Sequence, residues 1–228
     1  MALYGIADLH LSFSTDKPMD IYGPAWENHT EVLKREWTEL VKEEDTVIIA
    51  GDISWGLKLS EAMADLEWID KLPGKKVLFK GNHDPWWSSV SKLNKISERM
   101  FFVQNTFYVY EDYAICGTRG WLCPGSSDFK THDEKIYARE QLRLKASLDA
   151  AKKAGYEKII GVLHFPPTNE KKERSAFVDI FNDYGVEKAV FGHLHGETKK
   201  TVPDVFYGDT EFSLISCDAL ACRPQRIL

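Results

Sequence analysis

The sequence has few cysteines, no long apolar run and no excess of positive charge, and each shortage excludes a class of protein. Four cysteines in 228 residues are too few for a disulfide scaffold, and none of them forms a C-x-x-C pair. We therefore expect reduced, mostly buried thiols. No stretch approaches the roughly 18 apolar residues of a membrane-spanning helix. The N-terminus also lacks the features of a secretion signal, so we expect a soluble, cytoplasmic protein with no membrane partner.

Basic residues are in the minority, since 29 of them stand against 35 acidic residues for a net charge of −6. A chain without a positive field does not hold a polyanion nonspecifically, which argues against nucleic acid as a partner. Hydrophobic residues at 43% and charged residues at 28% are typical of a globular protein. With no internal repeat and no linker in the sequence, we predict a single domain over residues 1–228. The sequence leaves the oligomeric state open.

Short apolar runs alternate with helical patterns along the chain, which is typical of an α/β protein. Beyond an opening strand, further strands are predicted at 46–50, 76–79, 157–163, 188–191 and 212–216, with a small antiparallel meander at 101–103, 107–109 and 113–116. Helices are predicted around 29–41, 60–69, 133–154 and 175–184. Asn28 with Glu31, and Ser60, are predicted to cap the first two helices. Residues 117–132 show little periodicity and predict a long, lid-like loop.

Five of the seven histidines lie in short polar segments that follow predicted strands. These segments are Asp8-Leu9-His10, Gly81-Asn82-His83-Asp84, His164 and Gly192-His193-Leu194-His195, and Gly51-Asp52 follows another strand in the same way. Ligands of open α/β sheets bind beyond the carboxyl ends of the strands. A single such histidine is more often structural, but buried histidines and carboxylates are costly without a metal or mutual pairing. Five segments in order therefore indicate one shared site.

The types of side chain in these segments indicate a metal centre. Carboxylates, an amide oxygen and imidazoles suit Mn, Fe, Co or Zn better than Ca or Mg. Since one residue separates His193 from His195, an extended backbone would turn both rings to the same side, where they could reach two adjacent ions. Seven or eight ligands are too many for one zinc. They fit two metals about 3.5 to 4 Å apart, bridged by a carboxylate and a water, which is an arrangement used for phosphoryl displacement.

These residues resemble the calcineurin-like metallophosphoesterase family, whose pattern D-x-H, G-D, G-N-H-[D/E], H, G-H-x-H is matched without a gap. The resemblance implies two mixed β-sheets packed as a sandwich flanked by helices, and two divalent transition-metal ions, Mn, Fe or Zn. It implies that one ion is bound by Asp8, His10, Asp52 and His195. It implies that Asp52 bridges to a second ion held by Asn82, His164 and His193. His83 is implied to be the catalytic residue that stabilises the phosphate and protonates the leaving oxygen.

The charges of such a centre suit a phosphate ligand. Two divalent ions bring four positive charges while Asp8 and Asp52 return two negative ones, so the pocket stays positive inside an acidic protein. The same excess lowers the pKa of a bridging water toward about 7 and makes hydroxide available for attack. We therefore expect a bell-shaped pH profile whose limbs belong to that water and to His83.

One position departs from the protein serine/threonine phosphatases of this family. They continue the second motif as G-D-x-x-D-R-G, whereas Trp55 stands here where the second Asp, which orients the catalytic histidine, is expected. The phosphate-gripping Arg beside that motif is also missing, and Arg119 in the lid-like loop is the best local substitute for binding substrate phosphate. Trp55, Trp86, Trp87 and Trp121 lie near the motifs and could stack a flat group or plug the core.

The sequence thus predicts a dinuclear metal-dependent phosphoric ester hydrolase that acts on a small phosphoester. It leaves open whether the substrate is a monoester or a diester. A nuclease with the same centre is the enzyme alternative, although the basic groove expected of it is missing from the net charge. A noncatalytic interaction module is a further alternative, although such modules lose ligands and this set is complete. His29 and His132 have no neighbouring motif and are expected at the surface.

Overall fold

Two mixed β-sheets carry the fold of the computed structural model, which describes residues 1–203 and 205–228. The strands are β1 (Leu3–Ile6), β2 (Thr46–Ala50), β3 (Lys75–Phe79), β4 (Met100–Phe102), β5 (Phe107–Tyr110), β6 (Tyr113–Thr118), β7 (Lys158–Leu163), β8 (Lys188–Phe191), β9 (Phe206–Tyr207), β10 (Thr210–Leu214) and β11 (Gln225–Arg226). The α-helices are α1 (His29–Leu40), α2 (Leu59–Asp70), α3 (Val90–Leu93), α4 (Thr131–Lys153) and α5 (Ala176–Asp183). Short 3-10 turns span Asp20–Tyr22, Pro24–Trp26 and Gly196–Thr201.

Each sheet has a parallel centre with an antiparallel edge. The first sheet has the order β11-β1-β2-β3-β4, in which only β11 runs antiparallel to its neighbour. The second has the order β5-β6-β7-β8-β10-β9, with antiparallel pairs at both edges. Parallel strands aligned in this way bring their carboxyl ends to one edge of each sheet, where the polar segments follow.

The sheets pack face to face, and helices cover the two outer faces. Ile48 and Val77 from the first sheet meet Ile160 and Val190 from the second in one buried cluster. On the outside of the first sheet, α1 and α2 bury one apolar face each, and on the outside of the second sheet α4 and α5 do the same. Each fully buried apolar side chain contributes about 1.5–3 kcal/mol to folding. The predicted α/β sandwich flanked by helices is confirmed.

Two predicted helix caps are wrong. Asn28 precedes α1, but its backbone is left-handed at φ 51° and its side chain makes no capping hydrogen bond. Helix α2 begins at Leu59, which places Ser60 inside the first turn. The carboxylate of Glu61 instead accepts a hydrogen bond from the backbone N–H of Leu57 at 2.8 Å. An acceptor within the first turn thus replaces the predicted serine cap.

The predicted antiparallel meander is wrong for its first strand. Strand β4 pairs in parallel with β3 in the first sheet, whereas β5 and β6 form an antiparallel pair in the second. The chain therefore crosses between the sheets after β4. The pairing of β4 with a strand more than twenty residues earlier is a tertiary contact that local patterns do not encode.

Of the two histidines predicted to lie at the surface, His132 is exposed but His29 is buried. The Nε2 of His29 donates to the backbone carbonyl of Leu9 at 3.1 Å, and its ring packs edge-on against Trp26. Burial lowers the pKa of His29. A neutral histidine that supplies a donor to a loop carbonyl can replace an apolar residue in the core.

The loop predicted to act as a lid runs between β6 and α4 and is tied to the segment after His164. Asn169 Nδ2 donates to the carbonyl of Pro124 at 2.9 Å, and Lys171 Nζ donates to that of Gly125 at 2.8 Å. The role of this loop as a lid and the single domain over residues 1–228 stay predictions. All four cysteines are buried and free. No helix among the described residues is both long and apolar enough to cross a membrane.

Candidate metal centre

The polar segments of both sheets meet at one place. The Asp8 and Asp52 segments follow β1 and β2 of the first sheet, and those of His164 and His193 follow β7 and β8 of the second. Packing the sheets face to face brings these carboxyl ends together, so residues more than 180 positions apart touch. The backbone N–H of His193 donates to both carboxylate oxygens of Asp8, at 3.1 and 2.9 Å.

The candidate ligands form two adjacent groups whose ligand atoms lie within 4.8 Å of one another in each group. The Asp8 group consists of Asp8, His10 and His195, and the Asp52 group consists of Asp52, His164 and His193. Asp52 faces both groups, since its Oδ1 lies 3.3 Å from His164 Nε2 and its Oδ2 lies 3.8 Å from His10 Nε2.

Asn82 joins the Asp52 group through its amide oxygen. Its Oδ1 lies 2.7 Å from His164 Nε2 and 3.0 Å from His193 Nδ1. The Nδ1 of His164 already donates to the carbonyl of Ala50 at 3.0 Å. Without a cation, the Nε2 of His164 can therefore bond to Asn82 only by carrying a second proton. A metal ion between these atoms would take the place of that proton.

An unpartnered ring nitrogen in the Asp8 group also fits a metal. His195 Nε2 is buried without a hydrogen-bond partner, and it lies 3.2 Å from Asp8 Oδ1 outside hydrogen-bonding geometry. Buried polar atoms are rarely left without partners. Imidazole nitrogens beside carboxylate oxygens are suitable ligands for Mn, Fe or Zn. The residues of both groups thus fit two divalent ions.

Asp218 orients His195 and was missed by the sequence analysis. Its Oδ1 accepts from His195 Nδ1 at 2.9 Å, and its Oδ2 accepts from the backbone N–H of Gly196 at 3.0 Å and pairs with Lys199 Nζ at 3.0 Å. Burial raises the pKa of Asp218, but the hydrogen bonds from His195, Gly196 and Lys199 together lower it below its usual range. The carboxylate points Nε2 of His195 toward the Asp8 group. One signal could have found it, because Asp218 also follows a strand, β10.

Four candidate ligands have a left-handed backbone. The φ angles of Asp8, His10, Asp52 and His193 are 60°, 45°, 51° and 72°. Such conformations cost about 1–3 kcal/mol each in a residue with a side chain and collect where function requires them. They also make the predicted extended backbone wrong at His193, whereas His195 is extended at φ −126° and ψ 158°. The turn at His193 sends its ring to the Asp52 group, while the ring of His195 reaches the Asp8 group.

Glycines in the motifs allow the loops to approach closely. A Cβ on Gly81 would lie 2.1 Å from both the backbone nitrogen and the Oδ1 of Asp52, and one on Gly192 would lie 2.4 Å from Asp8 Oδ2. No side chain fits at such distances. The last residue of the Gly-Asn-His-Asp motif, Asp84, is buried and accepts from the backbone N–H of Ile53 at 2.9 Å and of Gly81 at 2.8 Å. Asp84 thereby joins two ligand loops.

When no metal ion is bound, the pKa values of the candidate ligands differ widely. Burial opposes a charge on His164, but the attraction of Asp52 exceeds that effect and raises its pKa to about 9. Burial lowers the pKa of His193 to about 3, assisted by repulsion from His164, and burial lowers that of His10 to about 4. Burial raises the pKa of Asp52, but His164 lowers it well below its usual range. Burial also opposes a charge on His195, but Asp218 and Asp8 together raise its pKa to about 10, so positive charge collects beside both Asp52 and Asp8, where cations would be attracted.

His83 lies beside both groups and outside them. Its side chain is exposed, and its backbone N–H donates to Asp52 Oδ1 at 2.8 Å. Trp55 occupies the place where a carboxylate was expected. Its ring lies 4.5 Å from that of His83 and stacks on His10 at 4.9 Å. The orienting contact on His83 in this chain is therefore an aromatic ring.

Arg119 adjoins a ligand loop through its backbone, because its carbonyl accepts from the backbone N–H of His164 at 3.0 Å, while its side chain pairs elsewhere. Arg119 Nη2 is 3.6 Å from Glu140 Oε1, and its guanidinium stacks on Trp121 at 4.4 Å. Its role in binding substrate phosphate stays a prediction. Trp86 and Trp87 are buried in the core under the first sheet, so they plug the core.

Comparison with known proteins places the chain in a family. The model of the calcineurin-like phosphoesterase family matches residues 1–197, and the chain belongs to this family. The Gene 66 protein of Mycobacterium phage L5 is 37% identical over 78 residues, which cover 34% of this chain and 37% of that protein. That of Mycobacterium phage D29 is 35% identical over 94 residues, covering 40% and 45%. The chain thus matches less than half the length of these curated relatives.

Solved structures with low sequence identity share the fold. Phosphopantetheinyl hydrolase from Mycobacterium tuberculosis superposes with a TM-score of 0.62 at 15% identity, covering 100% of this chain and 95% of that one. A protein of unknown function from Aquifex aeolicus gives 0.54 at 14% identity, with 99% and 95% covered. A Thermus thermophilus protein gives 0.59 at 12% identity, with 98% and 96% covered. Together, the family and the two ligand groups support a metal-dependent phosphoesterase.

Proposed function

We propose that this chain hydrolyses a small phosphomonoester or phosphodiester with two divalent transition-metal ions, Mn, Fe or Zn. One observation carries the proposal: two groups of candidate ligands lie side by side, and Asp52 turns one oxygen toward each of them. A carboxylate shared between two ions is typical of centres that bind both the attacking and the leaving oxygen of a phosphate ester.

The ligand set divides into two in this proposal. Asp8, His10, Asp52 and His195 would hold one ion. Asp52, Asn82, His164 and His193 would hold the other. The short contacts of Asn82 Oδ1 with His164 and His193 support its place in the second set. The Nδ1 of His164 donates to Ala50 and the Nδ1 of His195 donates to Asp218. These hydrogen bonds support binding of an ion by the Nε2 of each ring.

When bound, the ions supply positive charge that attracts phosphate oxygens and acidifies the attacking water. Few carboxylates of the protein are available to neutralise the positive charge of the ions. Asp8 and Asp52 are buried carboxylates of the two groups, and Asp218 is already paired with Lys199. The centre therefore keeps a net positive charge that a phosphate dianion would neutralise.

His83 is proposed to donate a proton to the leaving oxygen. It borders the same cleft as His10 and His195, and it is exposed where a substrate would enter. Its ring is held by Trp55, and its backbone N–H is held by Asp52. A proton donor fixed beside the ligands but belonging to neither group has the position that general acid catalysis requires.

Parallel assays test this function. The purified protein, with its metal content measured by mass spectrometry, would be given p-nitrophenyl phosphate and bis(p-nitrophenyl) phosphate. We expect turnover of at least one of them that is abolished by a chelator and restored by manganese. Monoester turnover alone would favour a phosphatase, and diester turnover would favour a phosphodiesterase. Cleavage of long DNA with both small esters inert would favour the nuclease instead, and metal-replete protein inert toward all three would contradict the proposal.

A further inference from the structure

A cavity of about 360 Å³ opens beside the Asp8 group and is not explained by phosphate binding. Two candidate metal ligands, His10 and His195, form part of its wall. The rest of the wall is largely apolar and aromatic, and we name this space the aromatic cavity. Its apolar lining consists of Met19, Tyr22, Trp26 and Trp55.

Two rings of the aromatic cavity, those of Trp26 and Trp55, are fixed in place by their own contacts. Trp26 is 3% exposed, and its ring lies 5.4 Å from that of His195 and 5.7 Å from that of His10. Trp55 stacks on His10 and donates from Nε1 to Met19 Sδ at 3.3 Å. Walls that are already ordered cost little conformational entropy when a ligand binds.

Part of the wall comes from two 3-10 turns, which supply Tyr22 and Trp26. Gly23 joins the turns Asp20–Tyr22 and Pro24–Trp26, and its backbone φ of 113° favours glycine over other residues. Trp26 faces inward, whereas Tyr22 is 62% exposed at the mouth of the cavity. An exposed aromatic ring beside a buried one leaves a face that a flat ligand can cover.

A second cavity on the far side of Trp55 has a different character. It measures about 530 Å³, and its lining mixes hydroxyl and charged side chains, including Ser14, Asp16, Lys17 and Glu61, with apolar ones, including Leu57 and Pro85. Trp55 and His83 border both cavities and therefore separate them. The two sides of the centre thus offer a substrate either largely aromatic or mixed, partly charged surroundings.

We infer that the aromatic cavity binds an aromatic or other flat apolar group esterified to the phosphate. The inference rests on the proposed function, because it takes the phosphorus to lie at the metal ligands. A group bonded to that phosphate can enter the cavity directly, since His10 and His195 line both places. The volume lies in the range of about 300–1,000 Å³ that small-molecule pockets occupy. Rings stacked on Trp55 and covered by Tyr22 would add binding free energy beyond the area they bury.

Calorimetric titration with two phosphonates tests the inference without depending on turnover. Phenylphosphonate and methylphosphonate share the anionic head and differ in the ring, and neither has a phosphoester bond to hydrolyse. On manganese-loaded protein, we expect phenylphosphonate to bind at least about threefold to tenfold more tightly. Tyr22→Ala should remove most of that preference and leave methylphosphonate unchanged. Ile21→Ala is the matched control, because Ile21 is 72% exposed next to Tyr22 and lies outside the cavity lining.

The outcomes separate this inference from the proposed function. Equal affinity for the two phosphonates would overturn the aromatic cavity as a substrate site and leave the metal centre standing. Equal weakening of both by Tyr22→Ala, or the same loss in Ile21→Ala, would also overturn it. If neither phosphonate binds to protein that holds its ions, both the inference and the proposed function are wrong.

Discussion

The two groups of candidate ligands differ in how their histidines are held. His164 in the Asp52 group has a fully buried side chain, and its Nδ1 donates to the backbone carbonyl of Ala50. His195 in the Asp8 group has a side chain that is 26% exposed, and its Nδ1 donates to the carboxylate of Asp218. One ring is therefore oriented by the sheet itself, and the other by a side chain that a mutation can remove.

This difference indicates that the two groups hold their histidines in place by different means. His164 of the Asp52 group is buried between the sheets, so its orientation depends on the fold. His195 of the Asp8 group borders the aromatic cavity, so its orientation depends on the side chain of Asp218. We expect the two ions to differ in affinity and in their response to mutation.

The largest effect is expected from Asp52→Asn, which alters both groups at once. Neutralising the shared carboxylate should reduce metal content below one ion per chain and lower turnover about a thousandfold, since metal charge is worth several kcal/mol in such transition states. Mass spectrometry and the ester assay measure both quantities. The control is Asp112→Asn, an exposed aspartate paired with Lys158 far from the centre. Two ions retained at wild-type affinity would show that Asp52 is not shared.

His83→Ala should separate chemistry from metal binding. We expect unchanged metal content in both groups and a loss of about a hundredfold in turnover of an ester with a poor leaving group. An activated p-nitrophenyl ester should lose less, because its leaving oxygen needs no proton. His132→Ala, which removes an exposed histidine, serves as the control. An equal loss for both esters would contradict the role of His83 as proton donor.

Asp218→Asn tests the comparison of the two groups directly. Loss of the carboxylate should weaken one ion about 10–100-fold, because outer partners of metal-bound histidines have effects of that size. The other ion should keep its affinity, since the ring of His164 is oriented by a backbone carbonyl. Competition with a fluorescent chelator would measure both constants, with the exposed Asp209→Asn as control. Equal weakening of both ions would remove the distinction that we draw.

The smallest effect concerns a buried charge outside the centre. Lys76 is buried and donates to the carbonyls of Asp70 and Leu72, and burial lowers its pKa to about 8. Above that value the unfolded chain binds a proton that the folded chain does not, so the free energy of unfolding should rise between about pH 8 and 10.5. Urea unfolding of Lys76→Met should lack this rise, whereas the exposed neighbour in Lys75→Met should keep it. If Lys76→Met showed a rise of equal size, groups other than Lys76 would be its cause.

The approach of the candidate ligands to one another could be predicted from sequence because these residues are local to strand ends. Asp8, Asp52 and His164 each follow an apolar run directly, and parallel strands place such positions at one edge. Asp218 and Tyr22 escaped prediction because their partners are distant in the chain and no motif surrounds them. Strand β11 pairs with β1 across more than 200 residues, which local periodicity does not record.

The backbone of the ligand loops could not be read from residue types either. His193 and His195 suggested an extended segment, but close packing against Asp8 forces a left-handed turn at His193. The burial of His29 depends on the carbonyl of Leu9, which only the folded chain places nearby. These misses share one cause, since tertiary contacts outweighed local preference at each of them.

A crystal structure of the protein grown with manganese would test the central claim most directly. The account predicts two anomalous-scattering peaks that flank Asp52, one beside His10 and His195 and the other beside His164 and His193. A single peak, or manganese bound elsewhere with Asp52 in contact with none, would contradict it.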